Sequence, residues 1–185
     1  MTKTKLDPNQ MDLKYPIGTF SMPNDFSTDL LDHWIQRIER LPFELGQTLY
    51  NVEPSKLDAT YRDGSWNVRQ LVHHLADSHM HGLTRIKWAL TEDQPEIKTY
   101  NEVKWSSLPD ASDLPINISL KWIEGIHTRW TYLLRTLSED ELSRTFYHPQ
   151  NKVNVSVYEQ CGLYAWHGDH HLAHIRIALK NGGKH

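Results

Sequence analysis

Only one cysteine, Cys161, occurs in the 185-residue sequence. That excludes an intrachain disulfide and any zinc site built on several thiolates. No run of about 18 apolar residues is present, so no membrane-spanning helix is expected. Charge of one sign is missing too. Twenty Lys and Arg against 23 Asp and Glu give a net charge of −3, and the basic residues are scattered. That is not the electrostatic footprint of a nucleic-acid binder. The opening residues, Met1-Thr2-Lys3-Thr4-Lys5-Leu6-Asp7-Pro8, lack the apolar stretch of a secretory signal, and a cytoplasmic location is the expectation. There is no His-Glu-x-x-His pair, no phosphate-cradling glycine loop and no Gly-x-Ser-x-Gly elbow. That argues against a zincin-type peptidase, since the Glu that would serve as general base is not between a helical His pair. Repeats and low-complexity segments are absent.

What remains is a soluble globular pattern of one-domain length, read as a single metal-binding domain over residues 1–185. Residues 1–25, through Tyr15-Pro16-Ile17-Gly18 and Met22-Pro23, read as an irregular arm that must dock to be ordered. From about Ser27, Leu31, Trp34, Ile35, Ile38, Leu41, Leu45 and Leu49 recur at three- and four-residue intervals. They predict an amphipathic helix with a kink at Pro42. Pro54 opens a single helical turn that ends before Tyr61-Arg62-Asp63-Gly64. Asn67-Val68-Arg69-Gln70 has the form of a capping box and starts a second long helix through Leu71, Leu75, Leu83, Ile86 and Leu90.

Residues 93–114 read as a long connection pinned by Tyr100 and Trp105. Pro115 suits the first turn of a third helix running through Ile123, Ile126, Trp130 and Leu134 to Leu137. Ser138 to Glu141 is another capping box. Between Thr145 and Val157 the period falls to two around Pro149-Gln150-Asn151-Lys152, which predicts a hairpin. Ser156 to Glu159 caps a fourth helix that runs to about Lys180 and stops at Asn181-Gly182-Gly183. The fold class is therefore all-α: an antiparallel four-helix bundle with a small β-hairpin before the last helix.

The informative excess is histidine. Eight of the twelve lie in seventeen positions, at 73, 74, 79, 81, 167, 170, 171 and 174, where an even spread would place about one. Histidines four apart on a helix share a face, so His167 with His171 and His170 with His174 are the two candidate ligand pairs. The inward stripe of the last helix is Cys161, Tyr164, Ala165, Leu172, Ile175 and Leu179. On a helical wheel His171 lies roughly 75° and His167 roughly 115° from its centre, while His174 and His170 lie about 135° and 175° away. The 167/171 pair is preferred. On the second helix His79 falls about 20° from the stripe centre, His74 about 120° and His73 about 140°. A wheel alone nominates His79, yet a site on the flank of the bundle takes its ligand from the stripe's edge. Periodicity leaves the third ligand open between His74 and His79.

Trp66 through His79 (WNVRQLVHHLADSH) and Tyr164 through Ile175 (YAWHGDHHLAHI) closely resemble the YfiT branch of the DinB-like superfamily. Tyr15-Pro16-Ile17-Gly18, Tyr61-Arg62-Asp63-Gly64 and Phe146-Tyr147-His148-Pro149 match the same branch, so the resemblance covers nearly the whole chain. It implies a four-helix bundle, a homodimer, and one divalent metal ion per subunit, zinc ahead of nickel, held by three histidines. By resemblance these are His74, from the His-His-Leu-Ala-Asp motif, and His167 and His171, the first and third His of the last-helix motif.

Three imidazoles suit zinc, nickel or iron better than magnesium or calcium, and three protein ligands leave a position for water or substrate. An ion so held lowers the pKa of a coordinated water and polarises a carbonyl or a thiol. The resemblance implies a metal-dependent hydrolase acting on a small-molecule substrate. Relatives in the superfamily imply an alternative, a thiol S-transferase using a low-molecular-weight thiol of the bacillithiol type. A further alternative is a metal-binding stress protein without turnover. Asp77, Asp169 or a tyrosine hydroxyl are expected to hold the imidazoles from behind. His73, His79, His81, His170 and His174 are expected as such supporting or surface groups. Trp34, Trp88, Trp122 and Trp130 read as core, Trp66, Trp105, Trp166 and His148 as candidate pocket lining, and Cys161 as a buried small hydrophobe.

Overall fold

The computed structural model describes residues 12–23 and 25–182. Four long helices form the body. Helix α1 (Thr28–Leu49) starts where the Ser27 side chain accepts the Leu30 N–H, and it runs unbroken through Pro42. A 3₁₀ turn at Pro54–Asp58 leads to α2 (Val68–Thr91), whose Asn67–Gln70 capping box is complete in both directions. The connection after α2 contains two short helices, α3 (Glu102–Trp105) and α4 (Pro109–Ser112), rather than irregular chain alone. Asn101 caps α3, and Pro109 opens α4. Both expected pins hold, because the Tyr100 ring stacks on His81 at 4.4 Å and Trp105 packs against both rings.

Helix α5 spans Asn117–Leu134. It begins two residues after the expected Pro115, because Pro115 belongs to a tight turn whose carbonyl accepts the Ile118 N–H. At the other end Leu137 lies beyond the helix, in a turn that bonds back to Leu134. The short α6 (Glu139–Ser143) follows its Ser138 capping box. Strands β1 (Thr145–His148) and β2 (Val153–Ser156) pair antiparallel, Thr145 opposite Ser156 and His148 opposite Val153. Helix α7 (Val157–Asn181) starts at the Ser156–Glu159 capping box and stops at Gly182. No helix among the described residues is long and apolar enough to cross a membrane.

In the bundle α1 and α2 each pack against α5 and α7, so α1 and α2 lie on one diagonal and α5 and α7 on the other. Consecutive long helices are thus not all neighbours, as they would be in a plain up-and-down bundle. The close approach of α2 depends on Gly82, where a Cβ would meet the Trp130 and Tyr164 rings at 2.5 and 2.7 Å. The apolar interior is in two parts. One holds Trp34, Ile38, Leu83, Trp130, Phe146 and Tyr164; the other holds Leu45, Leu71, Leu75, Ile123, Leu172 and Ile175. Along α2, α5 and α7 the switch from one part to the other falls at His79, between Ile123 and Ile126 (next to His127), and between Ala165 and Leu172. A layer of imidazoles therefore divides the core. Trp34 and Trp130 lie in the interior as expected and Trp88 is half-buried, but Trp122 is 44% exposed on the outer face of α5.

Candidate metal centre

The last-helix pair and the second-helix histidine meet inside this layer. His74, His167 and His171 each offer a ring nitrogen within 4.8 Å of the others. His74 and His171 are buried and His167 partly so. The Nε2 atoms of His74 and His167 stand 3.4 Å apart. With metal–nitrogen bonds of about 2.0–2.1 Å, a tetrahedral ion needs its ligand nitrogens about 3.3 Å from one another, so this edge of the triangle already has the right length. Burial pushes the His74 imidazole down to about 4. It pushes His167 and His171 well below the ordinary histidine value, with the neighbouring imidazoles adding to the effect. All three rings are neutral at pH 7, the state in which imidazole binds a metal. The donor set therefore fits a borderline divalent cation.

What lies behind the three rings differs from the expectation. Asp169 pairs with Arg37 of α1, and the Tyr164 hydroxyl donates to the Ser78 carbonyl. Asp77 makes no hydrogen bond to a histidine among the described residues. The supports are histidines. His167 Nδ1 meets His79 Nε2 at 3.2 Å, and His79 Nδ1 meets His127 Nε2 at 2.8 Å. His171 Nδ1 meets His174 Nδ1 at 3.3 Å. His79, which the wheel nominated as a ligand, is fully buried one step behind the cluster.

His127 is the residue that sequence reasoning missed. It stands alone in its helix with no motif around it, yet it sits on the inward stripe between Ile123 and Trp130, and that position was the available signal. Burial holds it at about 4. His73 is not part of the cluster. It joins α2 to the start of α5, accepting from the Ser119 hydroxyl while its Nε2–H donates to the Leu114 carbonyl.

A second buried trio, His170, His171 and His174, shares His171 with the first. His170 and His174 were expected to be the most outward of the four last-helix histidines, yet both are buried. The arm accounts for His170, and Tyr61, stacked on His174, for the other. Tyr15 packs on His170, Trp166 stacks on the same ring, and the Trp166 indole donates to the Gly18 carbonyl. Among the pocket candidates, Trp66 does border the centre, with its ring 4.5 Å from His74 and 6.3 Å from His171. Trp105 and His148 do not. Trp105 packs at His81, and His148 lines a separate cleft with Tyr100 and Glu102. Cys161 is fully buried, and burial raises its thiol far above the range of a reactive cysteine.

Known proteins resemble this chain over most of its length. Residues 37–175, which include every histidine named in the cluster, match the model of the DinB superfamily. A protein of Halalkalibacterium halodurans is 46% identical over 91% of this chain and 98% of its own length. One of Oceanobacillus iheyensis is 48% identical over 92% and 98%. Both are named “putative metal-dependent hydrolase”. Among solved structures, YfiT from Bacillus subtilis matches with a TM-score of 0.89 and 44% identity, covering 92% of this chain and 98% of that one. It is described as “a probable metal-dependent hydrolase with an unusual four-helix bundle topology”.

Proposed function

The chain belongs to the DinB superfamily, in the branch that includes YfiT, and from that premise we propose that it is a metal-dependent hydrolase of a small substrate, with His74, His167 and His171 as the ligands of one divalent ion. The observation that carries this reading is the convergence of three imidazoles, two buried and one partly so, on one point, with the His74–His167 edge at tetrahedral length. Zinc is the first candidate, nickel the second. Bound there, the ion supplies Lewis acidity to a water and to the carbonyl or ester it attacks.

The chain's own residues do the rest. His74, from α2, and His167 and His171, one turn apart on α7, fix the three ligand directions from two neighbouring helices. The Trp66 ring walls the centre on the His74 side with apolar surface, which excludes water from that flank and offers a face to an apolar part of the substrate.

The test is metal content of untagged protein, wild type beside His74→Ala, His171→Ala and His79→Ala. About one equivalent is expected in the wild type, none in the first two variants, and retention in the third. Retention in His74→Ala with loss in His79→Ala would move the ligand role to His79. Metal-loaded wild type is then assayed on amide and ester substrates with and without a low-molecular-weight thiol. Turnover that requires the thiol would replace hydrolase by thiol transferase.

A further inference from the structure

In an α-helix the carbonyl of residue i accepts the N–H of residue i+4. Pro42 has no N–H, and its ring presses on the carbonyl four residues earlier, so Ile38 is left without its partner inside α1. Ile38 is only 1% exposed, and a buried carbonyl must find a donor. The donor comes from the neighbouring helix, because His127 of α5 directs its Nδ1 at the Ile38 oxygen.

That single contact settles the protons of three rings. A carbonyl only accepts, so the His127 proton is on Nδ1, and its Nε2 is an acceptor in the neutral ring. His79 Nδ1, 2.8 Å away, must then donate, which leaves His79 Nε2 an acceptor. His167 Nδ1, 3.2 Å from that atom, donates in turn. The His167 proton is thereby held on Nδ1, and its Nε2 presents a bare lone pair toward His74. His127 is 1% and His79 0% exposed, and their hydrogen-bond partners are imidazoles and a carbonyl with no carboxylate among them, so nothing in the series stabilises a second proton on a ring.

We propose that the Ile38 carbonyl, released by Pro42, locks His167 through His127 and His79 into the one tautomer that can bind a metal at Nε2. His127 and His79 are positioning residues; neither touches the ion. The tautomer lock stands on the hydrogen bonds alone, while its consequence for affinity rests on the proposed metal centre. Free imidazole side chains favour the opposite, Nε2–H tautomer, so three consecutive Nδ1–H rings are a distinctive signature.

The experiment is a long-range ¹H–¹⁵N correlation spectrum of the metal-free protein at pH 7, with His127, His79 and His167 assigned. All three are expected as neutral Nδ1–H tautomers. An Nε2–H tautomer or an imidazolium at any of them overturns the proposal. Zinc affinity, read by competition with a chromophoric chelator, follows in His127→Leu and His127→Gln. The Leu variant is expected to lose about 10–100-fold. The Gln variant, whose amide can accept from His79 and donate to Ile38, is expected to recover to within about threefold of wild type. A folded Leu variant with wild-type affinity overturns the proposal, and if that variant does not fold, the wild-type spectrum decides alone. Wild-type protein that shows the three tautomers but binds no zinc would sink the metal reading and leave the lock standing.

Discussion

Tyr61 lies flat on His174, their ring centroids 3.8 Å apart and their planes 11° from parallel. The contact joins the loop before α2 to the ring that meets His171, and so connects a surface turn to a proposed ligand in two steps. The turn itself needs Gly64, which adopts φ +69°, a conformation that costs glycine little and other residues more. Removing the ring in Tyr61→Ala should cost about 3 kcal/mol in urea unfolding and loosen His174. Zinc affinity should fall with it, while Tyr61→Phe, which keeps the stack, should retain both. Equal affinity in the Ala and Phe variants would show that His174 is held without Tyr61.

Metal should stabilise the fold by mass action, since the three imidazoles converge only in the native state. At zinc one-hundredfold above the dissociation constant, the gain is about 2.7 kcal/mol. For a chain of this size that is a rise in Tm of about 5–10 °C. A thermal scan with zinc and with a chelator checks it, and His74→Ala should show no rise. A wild-type Tm indifferent to zinc would contradict the site.

Asp77 makes a prediction that involves no metal. Burial first, and then the charge of Asp110, raise its carboxyl from 3.8 to about 6. The folded state thus binds this proton more tightly than the unfolded state. The stabilising contribution is complete below about 3.8 and is lost as pH rises through about 6. Two pKa units correspond to at most about 2.7 kcal/mol, and because the group is only half-buried, about 1 kcal/mol is expected. Asp77→Asn should therefore raise unfolding stability by about 1 kcal/mol at pH 8 and leave it unchanged at pH 4. A gain of the same size at both pH values would place its origin outside the titration.

Helix positions were legible because they rest on local rules: the stripes of α1, α2, α5 and α7, and the capping boxes at Asn67, Ser138 and Ser156, all formed as the residues imply. The burial of His79 was legible on the same grounds, since it sits near the centre of its stripe. The burial of His170 and His174 was not, because a wheel describes one helix against the core and says nothing of an arm and a loop that cover the opposite face. Nor was the support of His167. A lone His127 and a Pro42 at helix interior positions look unrelated until the packing of α5 against α1 sets one side chain on the carbonyl that the other has released. Such pairings are non-local, and no period in the sequence encodes them.

The division of the core by imidazoles has a dynamic consequence. Hydrogen bonds between rings give way to water more readily than packed leucines do, so the bundle carries a seam at mid-height, between two apolar blocks that each cohere on their own. Amide protons that flank the seam on α2 and α7 should exchange through a shallower opening than those deep in either block, and a bound cation would act as a rivet across it. The same stratum that collects the ligands would then set how easily the molecule breathes, and loading the ion would close the protein as well as equip it.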